Sequence, residues 1–211
     1  MRVDPAGFFE GCYIMQQEDI ERFASTLSDG FREYGMFRFI CNGSYSYSKM
    51  KLFWAVQIAL CSKDAICIAD SKNANSVMIY IRPGSKEPGI VEYFKTGGIK
   101  MLLTIGLGGI IKLLRFDTKI QEVAKRYKSE KDGYLLAFAT RLDKQGQGYG
   151  KPLMDALLQY LDNSGEGCYL ETFKEENVEL YSHFSFELME QTPVNMGGLT
   201  LYAMYRSGNK I

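Results

Sequence analysis

Three glycines at alternate positions, Gly146, Gly148 and Gly150, form the stretch of the sequence with the clearest chemical potential. They follow an apolar run at 134–140 that predicts a strand, and they precede an amphipathic pattern at 152–162 that predicts a helix. Alternating glycines let the backbone approach a ligand closely and point several N–H groups at it. Because a helix N-terminus carries a partial positive charge, this arrangement predicts a cradle for a pyrophosphate group.

Two other interpretations of the glycine run stay open at the level of sequence. The first is a turn that binds no ligand, since glycine also serves ordinary turns. The second is the dinucleotide fingerprint G-x-G-x-x-G, which requires glycine where this chain has Lys151. Glu171 lies at the distance along the chain expected of a ribose-binding carboxylate, but such a fingerprint usually opens its domain and here it comes late.

The order of residues around the glycines resembles the GNAT superfamily of acetyltransferases. The central motif of that family is Q/R-x-x-G-x-G/A, and residues 145–150 read QGQGYG. The resemblance continues through 168–187, where a predicted strand is followed by Asn177, Tyr181 and an aromatic-rich strand. One departure is Leu142, where the family often has proline, and we expect it to alter the stiffness of the loop more than its ligand chemistry.

The resemblance implies a mixed α/β fold of the GNAT-type acyl-CoA N-acyltransferase class, formed by a single domain over residues 1–211. It places the acyl-CoA site mainly within residues 134–190 and a helical insertion at about residues 85–130, toward the acceptor site. The sheet is expected to be mostly antiparallel, with helices on both faces. Apolar runs at 65–69 and 76–81, separated by turn residues, predict a hairpin. The sequence also predicts a helix at 31–39 and two or three short helices, separated by glycine breaks, within 87–129. The strands predicted at 134–140 and 168–173 are expected to be locally parallel, since a helix connects them, and then to splay apart.

The same resemblance implies acetyl-CoA as cosubstrate and no metal. Backbone groups of Ala139 and Thr140 are expected to pair with the pantetheine arm as an extra strand would. Lys151 is expected to add charge near the phosphates, although a solvated residue at a helix start is an equally good interpretation. The residues expected to hold the pyrophosphate are Gln145, Gly146, Gln147, Gly148, Tyr149, Gly150 and Lys151.

Three further residues have expected roles at the reacting centre. Tyr181 is the candidate acid for the leaving thiolate, because a tyrosine at this place in the family lies near the thioester sulfur; the alternative is a core aromatic. Glu171 is the candidate general base, and the alternative is a charge at a strand end. Asn177 lies one helical turn before Tyr181, and either binds the cofactor or caps the helix.

Composition excludes several other classes of protein. Lysine and arginine balance aspartate and glutamate at 25 each, so no basic field predicts nucleic-acid binding. Five cysteines without a CxxC pair, and one histidine, argue against a zinc site. We interpret the cysteines as reduced and mostly buried, which predicts a cytoplasmic protein.

The apolar segment at 97–116 requires a membrane test. Its uninterrupted apolar part, 101–111, is short of the ~20 residues that span a bilayer. The sequence therefore predicts no stable membrane insertion and favours a buried helical segment. Peripheral membrane contact through an amphipathic helix is the alternative.

These observations predict an N-acetyltransferase that moves the acetyl group of acetyl-CoA to the primary amine of a small molecule, by direct transfer in a ternary complex. Aromatic and aliphatic residues in the variable half favour a pocket with apolar walls over a groove for a protein tail. The alternatives are a non-catalytic acyl-CoA-binding regulatory module and a dinucleotide-binding oxidoreductase. Assembly as a homodimer stays open.

Overall fold

The computed structural model describes residues 7, 9–86 and 88–208, within which seven strands form one mixed sheet. The two ends of the predicted domain, 1–6 and 209–211, lie outside this described part. The order across the sheet is β1-β2-β3-β4-β5-β7-β6. The strands are β1 (Tyr13–Ile14), β2 (Ala65–Ala69), β3 (Ser76–Ile81), β4 (Gly133–Thr140), β5 (Cys168–Thr172), β6 (Glu187–Pro193) and β7 (Thr200–Arg206).

Five of the six strand pairs are antiparallel, and the β4–β5 pair is parallel. The predicted hairpin of β2 and β3 is confirmed, with Ala65 opposite Ile81 and Ala69 opposite Val77. Both of its strands are apolar and almost wholly buried, as expected of central strands covered on two faces. The mixed α/β fold predicted from the sequence is therefore confirmed.

Helices cover both faces of the sheet and bury two separate cores. The first face packs against α1, α3 and α6, and the second against α7 and α8. Pro152 lies in the first turn of α7, where it costs no hydrogen bond, and Gly165 ends that helix in the left-handed conformation. The helices are α1 (Ile20–Gly30), α2 (Gly35–Ile40), α3 (Tyr47–Cys61), α4 (Ile90–Lys95), α5 (Gly98–Ile105), α6 (Leu107–Tyr127), α7 (Lys151–Ser164) and α8 (Glu176–Ser182).

The insertion between β3 and β4 consists of α4, α5 and α6, as the glycine breaks in its sequence indicate. The third of these helices is 21 residues long, longer than expected. Its later part crosses the first face, where Phe116 and Val123 are buried in the first core. The insertion therefore both builds the core and reaches the sheet beside β5 and β7.

Two local predictions were wrong. A helix was expected at 31–39, but α2 begins only at Gly35, because Phe31 to Tyr34 form turns that close the end of α1. The apolar segment at 97–116 was expected to be buried, but most of its large side chains face solvent. A helix at the surface buries only one face, and the helices of this segment carry apolar residues on both faces.

Candidate active site

The parallel pair of β4 and β5 is hydrogen-bonded over only two positions. Gly133 lies opposite Cys168 and Tyr134 lies opposite Tyr169, and the pairing ends there. The edge of β4 that faces β5 is thus unpaired from Leu135 onward among the described residues. Unpaired backbone groups at a strand edge can take up an extended ligand as an added strand. The predicted splay between these strands is confirmed.

A bulge in β4 lies at the start of this opening. On the partner strand Ile79 is opposite Ala137 and Tyr80 is opposite Leu135, so Leu136 is the extra residue. A bulge leaves one residue outside the ladder and bends the strand. Because Leu136 lies only two residues beyond the last parallel pair, the bulge turns β4 away from β5 close to the point where the two strands part.

The far end of β4 is held by the C-terminus of α1. An added side chain on Gly30 would lie 2.7 Å from the Thr140 carbonyl oxygen and 2.9 Å from Ala139 Cβ, so the two backbones touch there. The carboxylate of Asp29 accepts a hydrogen bond from the Leu142 N–H at 2.9 Å. The glycine loop therefore begins from a fixed strand end.

Five consecutive N–H groups, those of residues 146–150, donate no hydrogen bond of normal geometry to any residue in the described part of the chain. Gly146 and Gly148 have φ of +71° and +82°, which only glycine adopts readily, and both have open space on the side-chain side. Helix α7 begins directly after them at Lys151. The arrangement is a set of free donors at a helix N-terminus, which is an anion cradle in form.

The side chains of the loop are less available than its backbone. The amide of Gln145 donates to the Thr140 carbonyl at 3.1 Å, and that of Gln147 donates to the Asp143 carbonyl at 2.8 Å. Lys151 forms an exposed ion pair with Asp155 one turn along α7. Whether Lys151 contacts phosphates therefore stays a prediction, and a ligand would have to compete with this pair.

Tyr181 lies on α8 and is buried against the second face of the sheet, with its ring 5.9 Å from that of Phe186. Its hydroxyl makes no hydrogen bond to a described residue. Burial, with smaller effects of Tyr34, Cys168 and Glu171, raises the pKa of Tyr181 well above its ordinary value. The phenol is therefore protonated at neutral pH and free to donate to a ligand.

Glu171 lies on β5 and points to the first face, the side opposite Tyr181. Its Oε1 accepts a hydrogen bond of 2.5 Å from the Tyr134 hydroxyl, and its Oε2 is buried without a partner among the described residues. Burial raises the pKa of Glu171 from its ordinary 4.5 to about 7, against the lowering effect of the Tyr134 hydrogen bond. A carboxylate with a pKa near neutrality can accept a proton at physiological pH.

Asn177 neither caps α8 nor lies free. The N-cap of α8 is Glu175, and the Asn177 side chain donates to Thr172 Oγ1 at 3.0 Å. Its amide oxygen makes no hydrogen bond within the described residues, so a contact with the cofactor stays a prediction. In this structure Asn177 ties the start of α8 to the end of β5.

Sequence reasoning missed the contribution of Tyr34, which lies in the turn between α1 and α2. Its hydroxyl accepts from the Phe173 N–H at 2.7 Å and lies 3.1 Å from Thr172 Oγ1. Burial raises the pKa of Tyr34 to about 12, so this phenol stays neutral. Nothing near Tyr34 in the sequence marks it, because its partners are more than 130 positions away.

The site as a whole is an opening in the sheet with a cradle of free N–H groups at one end, a phenol on one face and a carboxylate on the other. Residues 107–186, which run from the first turn of α6 to the end of α8 and just beyond, match the model of the acetyltransferase (GNAT) family. Over these residues the chain matches a GNAT acetyltransferase domain. The resemblance to the GNAT family that the sequence motifs indicated is therefore confirmed.

Solved structures with the same fold extend over nearly the whole chain. The protein named histone acetyltransferase HPA2 and related acetyltransferase, from Corynebacterium glutamicum, is 17% identical, with a TM-score of 0.64 over 95% of this chain and 98% of that one. A mosquito arylalkylamine N-acetyltransferase like 5b is 13% identical, with a TM-score of 0.55 over 93% of this chain and 98% of that one. No curated protein matches the sequence. At these identities the GNAT domain shares the fold of these proteins, and nothing about substrates follows.

We expect Tyr34→Phe to destabilise the protein by about 1–3 kcal/mol, because the part-buried Phe173 N–H loses its acceptor. The free energy of unfolding from urea titration measures this. Tyr47→Phe is the matched control, since Tyr47 is 40% exposed, and it should change stability by less than about 0.5 kcal/mol. If the two variants were equally stable, Tyr34 would not be the residue that anchors the end of β5.

Proposed function

We propose that this protein transfers the acetyl group of acetyl-CoA to the primary amine of a small molecule, by direct attack within a ternary complex. The observation that carries the proposal is the row of free N–H groups at 146–150, next to the unpaired edge of β4. The row offers donors and a helix N-terminus to a pyrophosphate, and the edge offers backbone pairing to a pantetheine arm. Acetyl-CoA has both groups in this order along one molecule.

In this proposal the backbone of Ala139 and Thr140 binds the extended arm, and residues 145–151 hold the pyrophosphate. The acetyl carbonyl then lies where β4 and β5 part, within reach of an N–H of β4 that stabilises the developing oxyanion. Phe138 supports the loop from below, since a side chain on Gly150 would lie 2.7 Å from its ring. A compact residue is therefore required where α7 begins.

The amine approaches from the first face in this proposal, where Glu171 lies. Glu171 accepts a proton from the ammonium, directly or through water, so that a neutral nitrogen attacks the carbonyl carbon. Tyr134 holds the carboxylate in place through the hydrogen bond to Oε1, which leaves Oε2 for the proton. A new N–C bond forms, and the second proton on nitrogen leaves to solvent.

Tyr181 acts on the other side of the reacting carbon in this proposal. As the C–S bond breaks, the sulfur takes the electron pair and the phenol donates a hydrogen bond to it. The raised pKa of Tyr181 makes complete proton transfer less favourable than donation, so the phenol stabilises the thiolate and solvent completes its protonation. Placing the two groups on opposite faces keeps the incoming amine and the leaving thiol apart.

Aromatic side chains on the first face support an amine with an apolar substituent. The ring of Phe116 on α6 lies 5.5 Å from that of Phe173, and 5.9 Å from that of Phe39, in edge-to-face contacts. Phe173 follows β5 two residues after Glu171, on the same side of the sheet. Aromatic rings next to a carboxylate can bind a positively charged amine that carries an apolar substituent.

The test is calorimetric titration with acetyl-CoA and with NADH, followed by a thiol-release assay over a panel of aryl and alkyl primary amines. We expect acetyl-CoA to bind, NADH not to bind, and thiol release to require both acetyl-CoA and an amine. Mass spectrometry of the amine should show one added acetyl group. Binding of acetyl-CoA without turnover on any amine would favour the regulatory module instead, and binding of NADH would favour the oxidoreductase.

Glu171→Gln is expected to lower kcat/KM roughly tenfold at pH 7, less than the ~10²–10⁴-fold typical of a general base, because solvent also deprotonates the amine. The wild-type profile should have a limb that rises through about pH 7 as Glu171 ionises, and the variant should lose this limb. The limb from the amine's own ionisation, at higher pH, should remain in both proteins. The pH profile of initial rates measures the difference.

Stability separates this role from a structural one. Because folding raises the pKa of Glu171, the native state holds its proton between pH 4.5 and about 7 while the unfolded chain has lost it. Stability therefore falls as pH rises through this window, and Glu171→Gln should be as stable as wild type or more stable at pH 8. Glu166→Gln is the matched control, since Glu166 also accepts from tyrosine hydroxyls, Tyr80 and Tyr160. If Glu171→Gln had the same pH profile of kcat/KM as wild type, Glu171 would not be the general base.

A further inference from the structure

Exposed apolar side chains are concentrated in the insertion. Of the thirteen large hydrophobic residues that are exposed in the described part of the chain, eight lie between Val91 and Leu114. Leu103 is 79% exposed and Leu107 is 68% exposed, values unusual for leucine in a folded domain. The eight residues, here called the apolar patch, are Val91, Phe94, Ile99, Leu102, Leu103, Leu107, Ile111 and Leu114.

The patch follows the geometry of the helices. Ile99, Leu102 and Leu103 lie at helical spacing on one side of α5, whose other side buries Met101 and Ile105 in the core. On α6 the exposed residues are again three or four apart, and on α4 they are three apart. Successive helices of the insertion contact each other, so these exposed apolar residues lie on neighbouring elements. A patch of this extent marks an interaction surface.

Within residues 93–116 of the insertion, every charged side chain is basic. Lys95, Lys100 and Arg115 are exposed and make no ion pair with a described residue, whereas Lys112 is occupied by the Phe39 carbonyl and Asn42. No aspartate or glutamate occurs from residue 93 to residue 116. The chain as a whole has 25 basic and 25 acidic residues, so this positive region is a local feature.

We propose that the insertion docks this protein on an anionic lipid bilayer, with the apolar patch entering the interface and Lys95, Lys100 and Arg115 meeting the headgroups. Apolar side chains flanked by cations are the pattern by which helices lie in a membrane surface. Among the described residues no helix is both long enough and apolar enough to cross a bilayer, so the contact is peripheral. The inference concerns a surface, and it does not depend on the reaction proposed above.

Charge decides between lipid and a second copy of the chain. In a two-fold dimer the same patch faces itself, so each copy would bring its unpaired cations toward those of its partner. No carboxylate occurs from 93 to 116 to partner these cations, and the neighbouring Glu92 already accepts a hydrogen bond from the Gly89 N–H. Anionic headgroups neutralise them, and each cation near such a surface contributes binding.

The test is flotation of the full chain with vesicles of phosphatidylcholine alone and with about 30% phosphatidylserine, a composition chosen to give a strongly anionic surface as in the cytoplasmic leaflet. We expect binding to the anionic vesicles, weaker binding to neutral ones, and a loss of the difference at high salt. Leu103→Glu with Leu107→Glu should reduce the partition coefficient roughly tenfold or more, because two apolar side chains become charged. Lys100→Glu with Arg115→Glu should abolish the preference for anionic vesicles.

Matched variants keep this test specific. Leu188→Glu with Met189→Glu makes the same change at two exposed apolar residues on β6, and Lys125→Glu with Lys131→Glu makes the same charge change outside the patch. Both should bind vesicles as wild type does, with circular dichroism checking the fold of every variant. Equal loss in patch and control variants would overturn the proposal. The proposal would also be overturned if the protein did not bind vesicles and light scattering showed a dimer that Leu103→Glu dissociates. That outcome would assign the patch to contact with a second copy of the chain.

Discussion

Gly148→Glu is expected to weaken acetyl-CoA binding roughly a hundredfold or more. The added carboxylate would stand among the free N–H groups of 146–150 and repel the pyrophosphate, removing at least two charge-assisted hydrogen bonds of about 1.5–3 kcal/mol each. Calorimetric titration measures the change. The space beside Gly148 is open, so the variant should fold, with a strain cost of roughly 1–3 kcal/mol from its φ of +82°.

Two controls separate charge from backbone strain. Gly148→Ala has the same strain without the charge and should lose far less affinity than Gly148→Glu. Gly84→Glu adds the same residue at another glycine with positive φ, +72°, and open surroundings, in the turn after β3. It should bind acetyl-CoA as wild type does. If Gly148→Glu kept its affinity, the cradle would lie elsewhere and the site would have to be reassigned.

Tyr181→Phe is expected to lower kcat roughly a hundredfold, while the Kd for acetyl-CoA changes little. The phenol acts only once charge develops on sulfur, so its loss removes stabilisation of the transition state and spares ground-state binding. Thiol release at saturating acetyl-CoA and amine measures the effect. Because the Tyr181 hydroxyl bonds to no described residue, its removal leaves no partner unsatisfied and stability should not fall.

Tyr160→Phe is the comparison for this second prediction. Tyr160 is buried on the same face of the sheet, but its hydroxyl bonds to Glu166 at 3.2 Å, among residues removed from the opening. Its variant should retain wild-type kcat, although it should lose some stability. If Tyr181→Phe and wild type had similar rates, Tyr181 would not be the donor to the thiolate. Backbone N–H groups would then be the next candidates for that role.

Local patterns in the sequence were enough to predict much of the framework around the site. The hairpin of β2 and β3, the strand before the glycines and helix α7 after them follow from apolar periodicity, turn residues and the position of Pro152. The motif QGQGYG indicated the GNAT family only together with the strand, Asn177 and Tyr181 that follow it, because this ordered combination is more specific than a glycine-rich loop alone. The splay of β4 from β5 was also foreseen, from the family and from the helix that connects them.

Only the tertiary structure decided which side chains meet at the opening. Tyr34 reaches Thr172 across 138 positions of chain, and Tyr134 reaches Glu171 across 37. Hydrogen bonds between residues so far apart leave no periodic trace in a single sequence. The raised pKa of Glu171 depends in the same way on burial by distant elements, which residue type does not reveal.

The insertion shows the same division between local and distant information. The sequence by itself determined that residues 90–127 are helical, apolar and basic, since helix formation and composition are local properties. It did not determine which apolar residues are buried, and the expectation that the segment is buried was wrong. Burial depends on how much surface the rest of the fold offers: α3 and the sheet cover Met101, Ile105 and Phe116, and no described element remains to cover the other side.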